Sequence, residues 1–382
     1  MDFTITSEQK RLKEQTKEFV EQEVQPFEEQ IDKEGKIPTE ILEKFKKRGY
    51  FGTNTPKEYG GLGLGMLGNC LIVEELGRTS IAIFYTVSMN IHIGSKAIYF
   101  AGSEEQKRKY LPPLAKGELI GCYALTEPEA GSDPASMQTR AVREGDKFII
   151  NGKKCFITNA PIADVFTLFA VTDQKAKTSQ RITAFVIEKG TDGLSIGKIH
   201  QMCGGRGSFH SEVILKDCAV PARNVIGEIG KGFITAMKCL DDGRLNWAAY
   251  SLGATERLLE MSALYAKERI QFGKPIGANQ AIQWMLADTK AELQAAKMLT
   301  YNTSWKYDQG IIEPHDSAMT KLLTSEMVWR AADMAVEVHG GLGYCKDLPF
   351  ERILRDVRII RALEGTSEIM RLVIARNLLG TM

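Results

Sequence analysis

Residues 363–368 read Leu363-Glu364-Gly365-Thr366-Ser367-Glu368, a turn that runs straight into the periodic segment Ile369-Met370-Arg371-Leu372-Val373-Ile374-Ala375-Arg376. Thr366 offers a hydroxyl cap to the helix predicted there. Upstream, Val338-His339-Gly340-Gly341-Leu342-Gly343-Tyr344 is too rich in glycine for a helix interior. Between the two lies the arginine-laden Glu351-Arg352-Ile353-Leu354-Arg355-Asp356-Val357-Arg358. A carboxylate one residue before a glycine, at a helix N-terminus, stands beside free backbone N–H groups that suit an anion or a polar ring. Two readings of Glu364 are open on this stretch alone: a surface residue of a structural loop, or a base held beside a ligand cradle.

Outward from there, 382 residues are too many for one ordinary core, so two or three domains or a large helical assembly are expected. A hydrophobic content of 43% with 25% charged residues belongs to a soluble globular chain. The formal net charge of +1 gives no electrostatic case for nucleic acid or an anionic membrane. An acidic substrate would be met by local arginines. Cys70, Cys122, Cys155, Cys203, Cys218, Cys239 and Cys345 are scattered without C-x-x-C pairs, which predicts reduced thiols and neither a disulfide framework nor a metal site. The N-terminus lacks the pattern of a signal peptide, and no apolar run has transmembrane length. A cytoplasmic location is expected, or the mitochondrial matrix for a processed eukaryotic chain.

The periodicity changes twice along the chain. Helical spacing dominates 1–118: Thr6-Ser7-Glu8-Gln9 offers a capping box, and helices are predicted over Ile81–Phe100 and Ser103–Leu114, the latter closed by Pro112-Pro113. Gly63-Leu64-Gly65-Met66-Leu67-Gly68 fits G-x-G-x-x-G. No strand or βαβ unit surrounds it, so it reads as a loop before a helix over Leu71–Arg78. Period two takes over in 119–228, with Asn151-Gly152 a hairpin signal and strands at Val165–Val171, Thr183–Glu188, Leu194–Ile199 and Glu212–Leu215. Residues 229–382 return to long helices, with Ile282, Met285, Leu286, Thr289, Leu293 and Ala296 on one face and Pro314 at a helix start. The expected fold is mainly α with a β-domain insert: an N-terminal helical domain, a middle β-barrel or sandwich domain, and a C-terminal four-helix bundle.

Three loops break this pattern. Tyr123-Ala124-Leu125-Thr126-Glu127-Pro128-Glu129-Ala130-Gly131-Ser132-Asp133 presents backbone N–H groups and hydroxyls. Cys155-Phe156-Ile157-Thr158-Asn159 puts an aromatic and a threonine at a strand end. Arg269-Ile270-Gln271-Phe272-Gly273-Lys274-Pro275-Ile276, with Gln280 after it, sets an arginine before a turn between helices, a place for a phosphate contact. Singly, each is more often a turn than a site. Together with Val338–Tyr344 and Glu364–Ile369, in this order and spacing, they resemble the acyl-CoA dehydrogenase family over essentially the whole chain.

The resemblance implies FAD bound without a Rossmann motif. Its flavin contacts would map to Tyr123, Leu125, Thr126, Gly131, Ser132, Phe156, Ile157 and Thr158. A neighbouring subunit would meet the adenine and pyrophosphate through Arg269, Phe272, Gln280, Glu337, Gly340 and Gly341, with Thr366 and Glu368 also at the cofactor; a homotetramer, a dimer of dimers, is therefore expected. CoA contacts would map to Ser132, Asp241, Arg244, Gly365 and Arg371. Glu364 would abstract the α-proton of a saturated acyl-CoA while the β-hydride passes to flavin N5, giving the trans-2-enoyl-CoA, and electrons would pass to an electron-transferring flavoprotein. Some family members carry the base just before the arginine equivalent to Arg244; that position is Gly243 here, which leaves Glu364. The alternatives are an oxygen-using acyl-CoA oxidase and an inactive helical scaffold. A decarboxylating glutaryl type would need a cation in Ile81–Gly94, which holds none.

Some positions depart from the family's commoner pattern: Phe156 for Trp, Leu363 for Tyr, Asn279 for Phe, and Gly205 and His210 within Gly204–Ser211. His92 has two readings, an acyl-pocket residue with Tyr85 and Met89 or a satisfied core histidine. Ser208, His210 and Asp217 form a triad on paper but lack an elbow motif. Arg352, Arg355, Arg358 and Arg361 are expected to form salt bridges at a subunit interface.

Overall fold

The computed structural model of the chain describes residues 5–380. Helices come first: α1 (Ser7–Phe19), α2 (Glu28–Glu34), α3 (Thr39–Lys47), α4 (Gly65–Leu76), α5 (Ile81–Ile91), α6 (Ile93–Ala101) and α7 (Glu104–Lys116). Capping boxes open two of them, Thr6 with Gln9 on α1 and Ser103 with Gln106 on α7. The G-x-G-x-x-G run is not a loop throughout, because α4 already begins at Gly65. Its first turn is capped from far away in sequence: the Asp308 carboxylate accepts from Met66 N at 2.6 Å and Leu67 N at 2.9 Å. The helix expected over Ile81–Phe100 is broken at His92 (φ −127°, ψ −112°) into α5 and α6. Pro112-Pro113 lie inside α7, which ends instead at left-handed Gly117 (φ 71°).

An eight-stranded sheet follows. Its strands are β1 (Gly121–Ala124), β2 (Arg140–Glu144), β3 (Lys147–Thr158), β4 (Val165–Val171), β5 (Ile182–Glu188), β6 (Leu194–Ile199), β7 (His210–Pro221) and β8 (Val225–Ile226), with one helical turn α8 (Thr178–Arg181) before β5. The order is β6-β7-β3-β2-β4-β5-β8, and β1 pairs with β4 in parallel. Asn151-Gly152 makes no hairpin. One continuous β3 runs along β7 with a register shift between Ile150 and Gly152. Asn151 spends its amide across the ladder, donating to Asp217 Oδ1 at 3.1 Å and accepting from Asp217 N at 2.8 Å. Gly152 lies where a Cβ would meet Thr139 Oγ1 at 2.3 Å, so the glycine serves close packing, not a turn.

The bundle consists of α9 (Gly232–Glu268), α10 (Gln280–Asp308), α11 (Pro314–His339) and α13 (Ser367–Leu379), with short α12 (Phe350–Val357) leading into the Glu364 turn. The hairpin β9 (Ile270–Gln271) and β10 (Lys274–Pro275) joins α9 to α10. On α10, Thr289, Leu293 and Ala296 are buried, whereas Ile282, Met285 and Leu286 are only half-buried. One core cluster unites α1, α3, α4 and α5 with α9, α11 and α12 around Trp247, Phe84 and Phe350. Three arginines of the series find acids within their own chain. Arg352 pairs with Glu28 at 2.8 Å, Arg355 with Asp32 at 3.2 Å and Glu351 at 2.8 Å, and Arg361 with Glu326 at 3.0 Å. The Glu351 pair lies within α12; the others fasten α12 and the turn after it to α2 and α11 of the same chain. Among the described residues no helix is long and apolar enough to cross a membrane.

Candidate active site

Glu364 sits in the turn between α12 and α13 with φ 51°, a left-handed conformation that is costly for a residue with a Cβ. Two buried cations hold the turn there by its carbonyl groups. Arg244 Nε on α9 donates to Glu364 O at 3.2 Å, and Lys321 Nζ on α11 donates to Gly365 O at 2.7 Å. Thr366 then caps α13 by accepting from Ile369 N. The Glu364 side chain is 6% exposed, and Oε1 accepts from Trp247 Nε1 at 2.9 Å. Among the described residues Oε2 has no partner. Burial pushes this carboxyl up to about 8, against the smaller opposing effects of the Trp247 bond, Arg244 and Lys321. Gly243 provides the space, since a Cβ there would lie 2.2 Å from Oε2.

Further buried groups surround Glu364, and of these Lys321 is not apparent from sequence. Lys321 is wholly buried, and burial lowers its ammonium to about 8. His92, at the α5–α6 break, is also fully buried; its Nδ1 lies 4.0 Å from Glu364 Oε1, and neither ring nitrogen has a hydrogen-bond partner among the described residues. Burial holds it down to about 3, so it is neutral and is not a satisfied core histidine. Asp241 is engaged by Arg244 Nη1 at 2.9 Å and by the Ser317 hydroxyl at 2.7 Å. Asp241, Arg244, Gly365 and Glu364 thus form one cluster.

The β-domain brings two strand ends together, and Tyr85 links them to this cluster, its ring lying 5.2 Å from Trp247 and 4.6 Å from His210, the neighbour of Thr158. Cys155 N donates to Thr126 O at 2.9 Å, which joins the loop after β1 to the end of β3. Lys154, fully buried, ties the same loop by donating to Leu125 O at 3.0 Å and Glu127 Oε1 at 2.8 Å. Glu127 accepts in turn from Gln138 N and Thr139 N, so the Thr-Glu-Pro turn is closed from inside. Phe156 sits at a bulge with φ 56° and stays 56% exposed, its ring 4.6 Å from that of His200. A strained, exposed aromatic beside half-buried Thr126 and Thr158, with open space around Gly131, fits a cradle for a flat ring. Leu125 and Ile157 are buried beneath it, and Tyr123 donates its hydroxyl to Ala236 O at 3.2 Å.

Models of three consecutive domains match this chain: acyl-CoA dehydrogenase N-terminal domain over residues 6–118, middle domain over 122–218 and C-terminal domain over 230–379. The chain belongs to the acyl-CoA dehydrogenase family. It is 43% identical over 375 residues to the short-chain specific acyl-CoA dehydrogenase of Clostridium acetobutylicum, covering 98% of this chain and 99% of the relative. It is 42% identical to the acryloyl-CoA reductase (NADH) of Anaerotignum propionicum, covering 99% and 96%. A chain of the solved structure of the electron transferring flavoprotein of Acidaminococcus fermentans superposes with a TM-score of 0.96 at 41% identity over 100% of both chains.

Of the remaining residues singled out by the family resemblance, Ser132, Glu368 and Arg371 are exposed. Arg269, Phe272, Gln280, Glu337, Gly340 and Gly341 are exposed too, and Phe272 is 96% exposed at φ 51°. The ends of α9 and α11 that carry several of them meet where Tyr265 stacks on His339 at 4.3 Å. The paper triad does not exist. His210 Nδ1 faces Thr158 instead of a carboxylate, and Asp217 is bound to Asn151.

Proposed function

We propose that this chain binds FAD and dehydrogenates a saturated acyl-CoA to the trans-2-enoyl-CoA, with Glu364 as the base. The observation that carries this is Glu364 Oε2: a buried carboxylate oxygen, admitted by the missing side chain of Gly243 and lacking a partner among the described residues. Thr126, Phe156 and Thr158 would hold the flavin ring, with Tyr123, Leu125, Gly131, Ser132, Ile157, Thr366 and Glu368 around it. FAD, when bound there, supplies the acceptor for the β-hydride.

The chain's own residues supply the rest. Oε2 takes the α-proton while Trp247 keeps the carboxyl plane fixed through Oε1. The Glu364 backbone N–H, free of any protein acceptor among the described residues, is the donor for the thioester oxygen as enolate charge develops. Arg244 and Lys321 hold that N–H in place by gripping the two carbonyls that follow it. Asp241, Arg244, Ser132 and Arg371 are the polar groups offered to CoA. The acyl end meets Leu363 and Tyr85.

A base held at about 8 is mostly protonated at neutral pH, so the same carboxyl is also suited to deliver a proton in the reverse direction. The name of the acryloyl-CoA reductase relative favours that second reading. Electrons would be exchanged with an electron-transferring flavoprotein, and exposed Arg269, Phe272 and Gln280 would complete the FAD site of a neighbouring copy in a dimer of dimers. The seven free cysteines support a reducing compartment such as the bacterial cytoplasm. The test is anaerobic titration of the purified protein with saturated and 2-enoyl-CoA panels while following flavin absorbance. Bleaching by a saturated acyl-CoA supports dehydrogenation; a colourless protein, or flavin indifferent to every thioester, defeats the proposal.

A further inference from the structure

Next to Thr158, and outside the proton-abstracting cluster, three side chains form a hydrogen-bond chain whose direction can be worked out. Thr158 Oγ1 lies 3.1 Å from His210 Nδ1, His210 Nε2 lies 3.0 Å from Ser208 Oγ, and Ser208 Oγ lies 2.7 Å from Gly205 O. A hydroxyl oxygen this close to a carbonyl oxygen must place its one hydrogen between them, or two lone pairs would face each other. Ser208 therefore has no hydrogen left for His210 and accepts from Nε2–H. His210 is buried, and burial lowers its imidazolium to about 4, so the ring is neutral with a bare Nδ1. Thr158 must then donate its hydroxyl hydrogen to that nitrogen.

The ring has little freedom to reverse this. It packs edge-on against Tyr85 at 4.6 Å, Thr158 and His210 are register partners of β3 and β7, and His210 O accepts from His200 N at 2.8 Å. Gly205 completes the packing, since a Cβ there would stand 3.2 Å from the Tyr85 ring. Both Gly205 and His210 are among the departures from the commoner family pattern, and one arrangement accounts for them together.

We propose that His210 is a positioning residue that commits the Thr158 hydroxyl hydrogen to itself, leaving Thr158 Oγ1 toward the cofactor as an acceptor only. This rests on the FAD reading above. A flavin ring gains N–H donors when it is reduced, so an acceptor-only oxygen beside it favours the reduced form and opposes the oxidised one, whose bare ring nitrogen would face a lone pair. One hydrogen bond of ordinary strength changes such an equilibrium by about tenfold. For a two-electron couple that is about 30 mV.

The test is the midpoint potential of bound FAD, measured anaerobically against reference dyes, in wild type, His210→Phe, Thr158→Val and the double variant. His210→Phe frees the Thr158 hydrogen and is expected to lower the potential by about 30 mV, a tenfold change; in the Thr158→Val background the same change is expected to do nothing. Ser208→Ala, which removes the group that fixes the tautomer, is the second variant should the first not fold, with a smaller shift of the same sign. An unchanged potential in both His210→Phe and Ser208→Ala, or a His210→Phe shift that persists without the Thr158 hydroxyl, overturns the proposal. A readout independent of FAD is the nitrogen-15 spectrum of the labelled histidines at pH 7. Protonated Nε2 with bare Nδ1 at His210 supports the relay, and protonated Nδ1 or an imidazolium overturns it. A protein that takes up no FAD defeats the FAD reading, and the spectrum alone then decides the relay.

Discussion

Two buried glutamates, each with two cations nearby, are treated in opposite ways. Glu74 on α4 is fully buried with Lys13 Nζ and Lys297 Nζ both 2.9 Å from Oε1 and the Tyr301 hydroxyl 2.5 Å from Oε2. Its cations grip the carboxylate itself, and the charge is neutralised where it lies. Glu364 has Arg244 and Lys321 close by, yet both donate to backbone carbonyls of the turn and neither to the carboxyl, which keeps only the neutral Trp247 donor. The same ingredients yield a structural joint in one place and, in the other, a carboxyl left free for the proton transfer proposed above. Burial of an acid is thus not the mark of a site; what its cations hold decides.

The comparison can be broken at either end. Glu74→Gln weakens the joint, although Lys297 keeps Glu256 at 2.8 Å and Lys13 keeps Glu75 at 3.5 Å, and should cost about 1–3 kcal/mol of stability by denaturant titration, with turnover per bound FAD unchanged. A loss of turnover at intact stability would erase the distinction. Gly243→Ala puts a Cβ into the Glu364 carboxylate and should lower turnover about 10²-fold, the cost of displacing a reacting group by about 1 Å, with little change in melting temperature. Lys321→Met leaves Gly365 O without its donor and should cost about 1–3 kcal/mol of stability while slowing turnover. Trp247→Phe removes the single donor to the carboxyl, should raise the Glu364 pKa further, and should slow proton abstraction about tenfold at neutral pH. Its rate–pH curve should shift to higher pH, and an unshifted curve would take Trp247 out of the account.

Periodicity and turn chemistry made the order of helices, sheet and bundle legible, because amphipathic spacing reports burial directly. The Glu-Gly-Thr-Ser turn and the two strand-end loops were legible too, since each carries residue types that a plain turn does not need. What was hidden depends on partners remote in sequence. Asp308 caps α4 across the fold, so Gly65 looks like loop. Lys154 and Lys321 sit in strand and helix stretches where a lysine normally marks the solvated face, and only the assembled core shows them buried against carbonyls. Asn151-Gly152 has the composition of a hairpin, yet Asp217 and Thr139 across the sheet fix an extended strand. The arginines of α12 and the turn after it announced salt bridges, and Glu351–Arg355 follows helical i,i+4 spacing, but Glu28, Asp32 and Glu326 lie on α2 and α11, which no spacing rule connects to them.

The pH dependence of flavin reduction by a saturated acyl-CoA in a single anaerobic turnover, compared between wild type and Glu364→Gln, tests the role of Glu364 most directly. A carboxyl raised by burial favours the fold while protonated, and that stabilisation is lost as pH rises through about 8. Proton abstraction needs the opposite, ionised form, so the wild-type bleaching rate should rise through about the same pH. Glu364→Gln should keep FAD, lose this pH dependence and bleach slower by at least ~10²–10⁴-fold. Bleaching at the wild-type rate in an FAD-loaded Glu364→Gln protein would contradict the assignment.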